Sequence, residues 1–308
     1  MLLAPRLLFT VATAIATLIP RVASEARRWN ATGHDVIAAI AWNHLTPAAR
    51  AKAVALLRNG PPEAHLGDLE PAGGAADERA RQLFIVASTW SDQIKGRQVP
   101  NHAYDRGTWH YTDYYWKETS GKIVAVPEIQ PDAENLIERM PVLVGMLTAA
   151  GPDSTRAVAL AWIEHLVGDI HQPLHASGRV TPDLPKGDRG GNDFKLGGNP
   201  NNLHSYWDGI LDLVEPSNGD RVAAVDRWTT AIEQRLPMSS FKAAELEAGL
   251  DVWARESLEM AQQTLYPASL AEHAVPSEEY KKAADVAAER RIALAGYRLA
   301  ALLNKTLR

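Results

Sequence analysis

The segment His165-Leu166-Val167-Gly168-Asp169-Ile170-His171-Gln172-Pro173-Leu174-His175 decides how the rest of the chain is read. His165 and Asp169 stand four positions apart, so on an α-helix they project from one face, where an imidazole and a carboxylate can grip one metal ion. Pro173 removes a backbone donor and favours a helix end, which swings His175 out of register with the first pair. One helix and its exit can therefore serve two metal positions. A second pair with the same spacing follows at His204 and Asp208, within Asn202-Leu203-His204-Ser205-Tyr206-Trp207-Asp208. One such pair alone is more often an ordinary hydrogen bond. Two pairs and a hinge histidine in one stretch point to metal.

Outward from this segment the chain reads as helical. Thr32-Gly33-His34 leads into the apolar periodicity of Asp35 to Trp42, which places His34 near a helix start. Thr46-Pro47 is an N-cap followed by proline at the first helical position, and Asn59-Gly60 closes that helix. Residues 61–76 carry the proline, glycine and acids of a surface loop. A helix over about 78–94 carries Trp90-Ser91-Asp92, and the aromatic stretch from Trp109 to Tyr115 reads as extended. Further helices are expected to end near Ala149, over 155–171, and near 219–236, 242–264 and 277–304. The loop between His175 and His204 is rich in Gly, Asp and Pro, with a short hairpin near 188–200; ligands at both its ends favour a functional loop. No repeat or clean linker interrupts the pattern. The expected fold is all-α, a single multi-helix domain.

The chain has no cysteine, which excludes thiolate sites and disulfides and leaves nitrogen and oxygen as metal ligands. Arg6, the apolar run from Leu7 to Ile19 and a small-residue exit read as a signal peptide over residues 1–28, too short a run for a spanning helix. Its cut falls most easily after Ala26, with trimming of Arg27 and Arg28 to follow. Loss of four arginines and one glutamate takes the formal charge from −5 to −8. So acidic a protein has no global electrostatic footprint for duplex DNA. Secretion or a periplasmic location is expected, with no membrane anchor left after cleavage.

The candidate ligands are His34, Asp92, His110, His165, Asp169, His175, His204 and Asp208. Without sulfur they suit zinc in a catalytic setting, and shared carboxylates allow close-set ions, as hydrolysis of a phosphate ester requires. With Trp29-Asn-Ala-Thr-Gly-His34, Trp90-Ser-Asp92, Trp109-His110, His165-Leu-Val-Gly-Asp169, Gln172-Pro-Leu-His175, Gly190-Gly-Asn192, Asn202-Leu-His204 and Trp207-Asp208 in this order, the chain resembles the secreted zinc-dependent single-strand nucleases of the S-one/P-one type. The resemblance covers Trp29 to Asp208; the rest matches as generic helix.

What the resemblance implies is specific. The fold would be that of phospholipase C and P-one nuclease, over 29–308. Three zinc ions are implied: one on Asp92, His110, His165 and Asp169, a second on His175, His204 and Asp208. The third would take His34, a shared Asp169 and the amine and carbonyl of Trp29 as the mature first residue. Asp92 and Asp169 would be the catalytic carboxylates, Tyr111 a ring stacking on a base, Asp113 a base-reading carboxylate and Asn192 a phosphate contact. Substrates would be single-stranded DNA, RNA and nucleotides, cut to 5′-phosphorylated products by a monomer, with 3′-nucleotidase activity compatible. The alternatives are a zinc-dependent phospholipase C, whose pattern has Glu where Asp208 stands, and a helical binding module in which zinc is structural. His44, His65, His102, His171 and His273 match no ligand position and are read as surface or structural, with support of a ligand left open for His171, which lies beside the metal helix.

Overall fold

The computed structural model describes residues 31–96, 98–216 and 219–308, and within these the chain is mainly helical. The expected signal peptide and the ligand position Trp29 lie outside the described residues. The helices are α1 (Ala31–His44), α2 (Pro47–Arg58), α3 (Ala76–Ala87), α4 (Trp90–Gln93), α5 (Leu136–Thr148), α6 (Asp153–His171), α7 (Leu203–Asp208), α8 (Ile210–Val214), α9 (Arg221–Arg235), α10 (Ala243–Leu246), α11 (Leu250–Met260) and α12 (Glu278–Thr306). Thr46 caps α2 by accepting from the Ala49 amide, as its position before Pro47 predicts.

Three helices form the interior. Residues 36–41 of α1, 159–171 of α6 and 291–300 of α12 are buried on every face, because apolar residues are spread around the turn and not confined to one stripe, with Glu164, His165, Asp169, His171, Arg291 and Arg298 buried among them. α1 lies along α12, while α2 and α5 cover α6, and α3 and α9 cover α1. Among the described residues the buried apolar side chains form one cluster from Val36 to Leu307. No described helix is long and apolar enough to cross a membrane.

The structure corrects the sequence reading at three places. The hairpin is not at 188–200, where only an isolated antiparallel bridge joins Lys195 to Asn202. It is formed by β1 (Tyr114–Thr119) and β2 (Lys122–Ala125), whose aromatic and branched residues suit a pleated surface. Ser120 and Gly121, both at positive φ, make the two-residue turn that such a pairing favours. β3 (Ser177–Arg179) adds in parallel to the other edge of β1, so the exit from α6 is tied to the strand that follows His110.

The second correction is that the helix over 78–94 breaks. Ser88 and Thr89 turn their hydroxyls back onto the carbonyls of Ile85 and Val86, a local competition with helix bonds, and the chain restarts as α4. Third, the helix over 242–264 is two, α10 and α11, with Gly249 at the junction. Of the two roles left open for His171, the structure gives the structural one. Its Nδ1–H donates to the Val167 carbonyl at 2.7 Å, so its Nε2 accepts from Arg298 at 2.9 Å. Arg298 and Arg291 both donate to Glu256, and Arg291 also to the His171 carbonyl at 3.1 Å, which pins the end of α6 to α11 and α12.

Candidate metal centre

The end of α6 carries His165 and Asp169 into the interior, and three further elements converge on them. Asp92 comes from α4, His110 closes a 3₁₀ turn (Gly107–His110), and His34 comes from the first turns of α1. His110 Nδ1 is 3.0 Å from His165 Nε2 and 2.9 Å from Asp169 Oδ2, and His165 Nε2 is 3.0 Å from the same oxygen. Asp92 Oδ1 lies 3.7 Å from His165 Nε2 and 3.9 Å from His110 Nδ1. Tetrahedral zinc with bonds near 2 Å spaces its ligand atoms by about 3.3 Å, so these distances fit one ion.

Asp169 faces two groups at once. Its Oδ1 is 3.6 Å from His34 Nε2, while Oδ2 belongs to the set just described. His34 stacks on His165 with ring centroids 3.9 Å apart. A separate group forms where the chain leaves α6: His204 Nε2 is 3.3 Å from Asp208 Oδ2, and His175 Nε2 is 3.8 Å from Asp208 Oδ1. Three clusters result, namely His34/His165/Asp169, Asp92/His110/His165 and His175/His204/Asp208, each with its donor atoms within 4.8 Å.

Backbone carbonyls orient three of the imidazoles. Nδ1–H of His165 donates to Ser88 at 2.8 Å, that of His175 to His110 at 2.8 Å, and that of His204 to Gly190 at 2.7 Å. Each tether fixes the tautomer and turns the Nε2 lone pair inward, the usual support for a metal-bound histidine. Gln172 does the same for Asp208, donating to Oδ1 at 2.7 Å. The atoms left without a hydrogen-bond partner in this buried setting include His175 Nε2, His204 Nε2, Asp208 Oδ2, Asp169 Oδ1 and both nitrogens of His34. Buried polar atoms are normally paired, so donors that converge yet lack partners fit cation ligands.

Electrostatics agree with that role. Burial, with His165 adding to it, lowers His34 to about 4, and burial with Lys95 holds His110 well below the usual imidazole range, so both present neutral nitrogen. Burial works against ionisation of Asp169, but the charges of His165 and His175 outweigh it and hold the carboxyl well below its usual range. Burial likewise opposes a charge on His175, yet Asp169 and Asp208 push it up to about 9.

The residues expected to touch substrate also converge. Tyr111, Asp113 and Asn192 line one cavity of about 360 Å³ that reaches His175 and His204. Tyr111 Oη donates to Asp132 at 2.7 Å, and Asn192 Nδ2 donates to the Arg189 carbonyl at 2.9 Å.

Sequence reasoning missed several contributors. Lys95 ion-pairs with Asp92 at the edge of the centre, and Asp132 holds Tyr111; both are common surface residue types and gave no signal. Gly168 was visible inside the opening segment but its role was not. A Cβ built there would meet His34 Nδ1 at 2.6 Å and Cε1 at 2.8 Å. Gly168→Ala is therefore expected to displace the His34 ring. Overpacking of about 1–3 kcal/mol exceeds the gain in helix propensity of up to about 1 kcal/mol. A melting point about 2–6 °C lower, with metal bound per chain reduced, is the expected reading; an unchanged metal content would show that His34 has room to yield.

The comparisons with known proteins bear on this geometry. Nuclease S1 of Aspergillus oryzae is 28% identical over 169 residues, covering 50% of this chain and 56% of that protein. Endonuclease 2 of Arabidopsis thaliana is 28% identical over 289 residues, 90% of each chain. Endonuclease 5 of the same plant is 30% identical over 162 residues, 48% of this chain and 50% of its own. The chain thus spans about half the length of two of these relatives and nearly all of the third. The sequence profile of the S1/P1 nucleases matches residues 29–308, which takes in every metal-ligand candidate above. On that match the chain belongs to the S1/P1 nuclease family, a family of phosphodiester hydrolases.

Proposed function

We propose that this chain is a zinc-dependent endonuclease that hydrolyses single-stranded DNA and RNA to 5′-phosphorylated products, with three ions held by the groups described above and 3′-nucleotidase activity at the same centre. The observation that carries the reading is Asp169, a buried carboxylate whose two oxygens face different clusters. It would place two ions close together, with His175, His204 and Asp208 holding a third nearby.

Bound zinc would supply Lewis acidity, lowering the pKa of water and neutralising charge on a departing oxygen. The chain's own residues do the rest. Asp92 and Asp169 supply the negative charge that keeps the ions in place, and the carbonyl tethers fix the imidazoles before substrate arrives. Tyr111 offers a ring for a base to stack on, a contact that tolerates any base and suits weak sequence preference. Asp113 accepts from donors on the base edge, Asn192 contacts phosphate, and the Lys95 ammonium stands beside Asp92 as a further phosphate partner. A duplex cannot present a splayed base to such a cavity, which supports single strands as substrates.

The profile match beginning at residue 29 supports processing of residues 1–28 as a signal peptide, a mature domain over 29–308 with Trp29 as the remaining ligand of the His34 ion, and a secreted or periplasmic location. The test is cleavage of a circular single-stranded DNA and of RNA by protein whose N-terminus has been sequenced. Linearisation of the circle, 5′-phosphate ends, loss with chelator and return with zinc are expected. A folded chain that starts at Trp29, holds zinc and leaves both substrates intact would sink the nuclease reading.

A further inference from the structure

His34 differs from His165, His175 and His204; His110 too lacks a carbonyl tether, but its Nδ1 lies 3.0 Å from His165 Nε2 and 2.9 Å from Asp169 Oδ2. His165, His175 and His204 are each tethered through Nδ1 to a backbone carbonyl, but neither nitrogen of His34 has a hydrogen-bond partner. Its ring is held by stacking on His165 and by the missing side chain at Gly168. No bond to the ring sets where its Nε2 points. The backbone of the first turn of α1 must set it.

That turn is gripped from one direction. Arg221, the first residue of α9, donates through Nη2 to the Ala31 carbonyl at 3.1 Å and through Nε to Asp35 Oδ2 at 2.5 Å. Thr32 Oγ1 donates to Asp212 Oδ1, on α8, at 2.9 Å. These three bonds fall on residues 31, 32 and 35, on both sides of His34. Arg221 itself is about 40% exposed and does not line the cavity, so contact with substrate does not account for it. A guanidinium fork suits the task because its N–H groups are rigidly spaced and can hold a carbonyl and a carboxylate together.

We propose that Arg221 is a positioning residue for the ion bound through His34, acting by fixing the first turn of α1; the inference rests on the three-ion reading given above. The other two ions have ligands with their own tethers and do not depend on it. Removing the fork should therefore weaken one ion selectively. Loss of a supporting partner of this kind typically weakens metal binding about 10- to 100-fold.

The experiment measures zinc per chain across a series of buffered free-zinc concentrations, using processed full-length protein, with melting curves in parallel. The wild type is measured first: three ions are expected, and fewer would remove the three-ion reading and this inference together, before any variant is made. Arg221→Met keeps the aliphatic stem and loses the fork; it is expected to bind one ion about 10- to 100-fold more weakly and the other two as before. Arg221→Lys should recover part of that loss through its bond to Asp35. Arg227→Ala, which loses only the exposed pair with Glu215, should match the wild type. If Arg221→Met fails to fold, Arg221→Lys, which loses the bond to the Ala31 carbonyl and keeps a cation beside Asp35, should show a smaller weakening of the same one ion. Wild-type affinity for all three ions in the folded variants would overturn the inference, as would parallel weakening of all three.

Discussion

Asp169→Asn is expected to lower phosphodiester cleavage by about four orders of magnitude while leaving the fold intact. The amide keeps the size of the carboxylate but offers one oxygen and no charge. In the native side chain Oδ2 lies 2.9 Å from His110 Nδ1 and Oδ1 lies 3.6 Å from His34 Nε2, so each of two clusters takes one oxygen. An amide can serve only one of them, and weakly. Each tenfold loss of rate corresponds to about 1.36 kcal/mol of transition-state stabilisation, so four decades ask for about 5 kcal/mol. That is within the range for losing Lewis-acid stabilisation at a close-set pair of ions. Zinc per chain should fall with the rate, while His175, His204 and Asp208 keep their ion. Activity within tenfold of the wild type would mean that Asp169 does not bridge, and the proposed arrangement of ions would have to be abandoned.

Zinc removal should have the second large effect, with a pH dependence that identifies the group being emptied. Filling a site at a hundred times its dissociation constant contributes about 2.7 kcal/mol, so stripping three ions should lower the melting point by on the order of 15 °C. In the metal-free protein His175 titrates at about 9, raised above its unfolded value near 6.5 because Asp169 and Asp208 outweigh the cost of burial. A raised histidine stabilises the fold fully below the unfolded value and loses that contribution as pH rises through 9. Zinc reverses the trend, because it binds only the neutral ring and must displace the proton. Refilling of the His175/His204/Asp208 group should weaken about tenfold for each unit of pH below 9, or about 100-fold between pH 8 and pH 6. His34 and His110, both lowered by burial, release no proton near neutrality. Titration calorimetry in buffers of different ionisation enthalpy would count the proton. Zinc binding at pH 7 without proton release would contradict this account of His175.

Two pairs among the ligand candidates could be placed from the sequence because they stand at helical spacing. His165 with Asp169, and His204 with Asp208, each needed only the 3.6-residue turn to be placed on one face. Long-range partners were not legible. The tethers of His165, His175 and His204 are carbonyls of Ser88, His110 and Gly190, and a carbonyl has no residue identity to read. The break at Ser88 that frees one of them depends on two hydroxyls choosing local bonds, where apolar periodicity alone predicted an unbroken helix. The hairpin was placed at 188–200 because glycine was weighed above β-branched and aromatic content, which favoured 114–125. The two roles of His171 could not be separated for a related reason: its neighbours in space, Arg298 and Glu256, lie in the last sixty residues, where only helix could be read.

The carbonyl tethers also bear on timing. They run from α6 and the segment after it to residues 88, 110 and 190, and the turn that presents His34 is held by residues 212 and 221. A ribosome that has not yet released residue 221 holds a chain in which this set of supports is incomplete, however much zinc surrounds it. The supports of the metal-ligand candidates are therefore complete only once most of the polypeptide has been made.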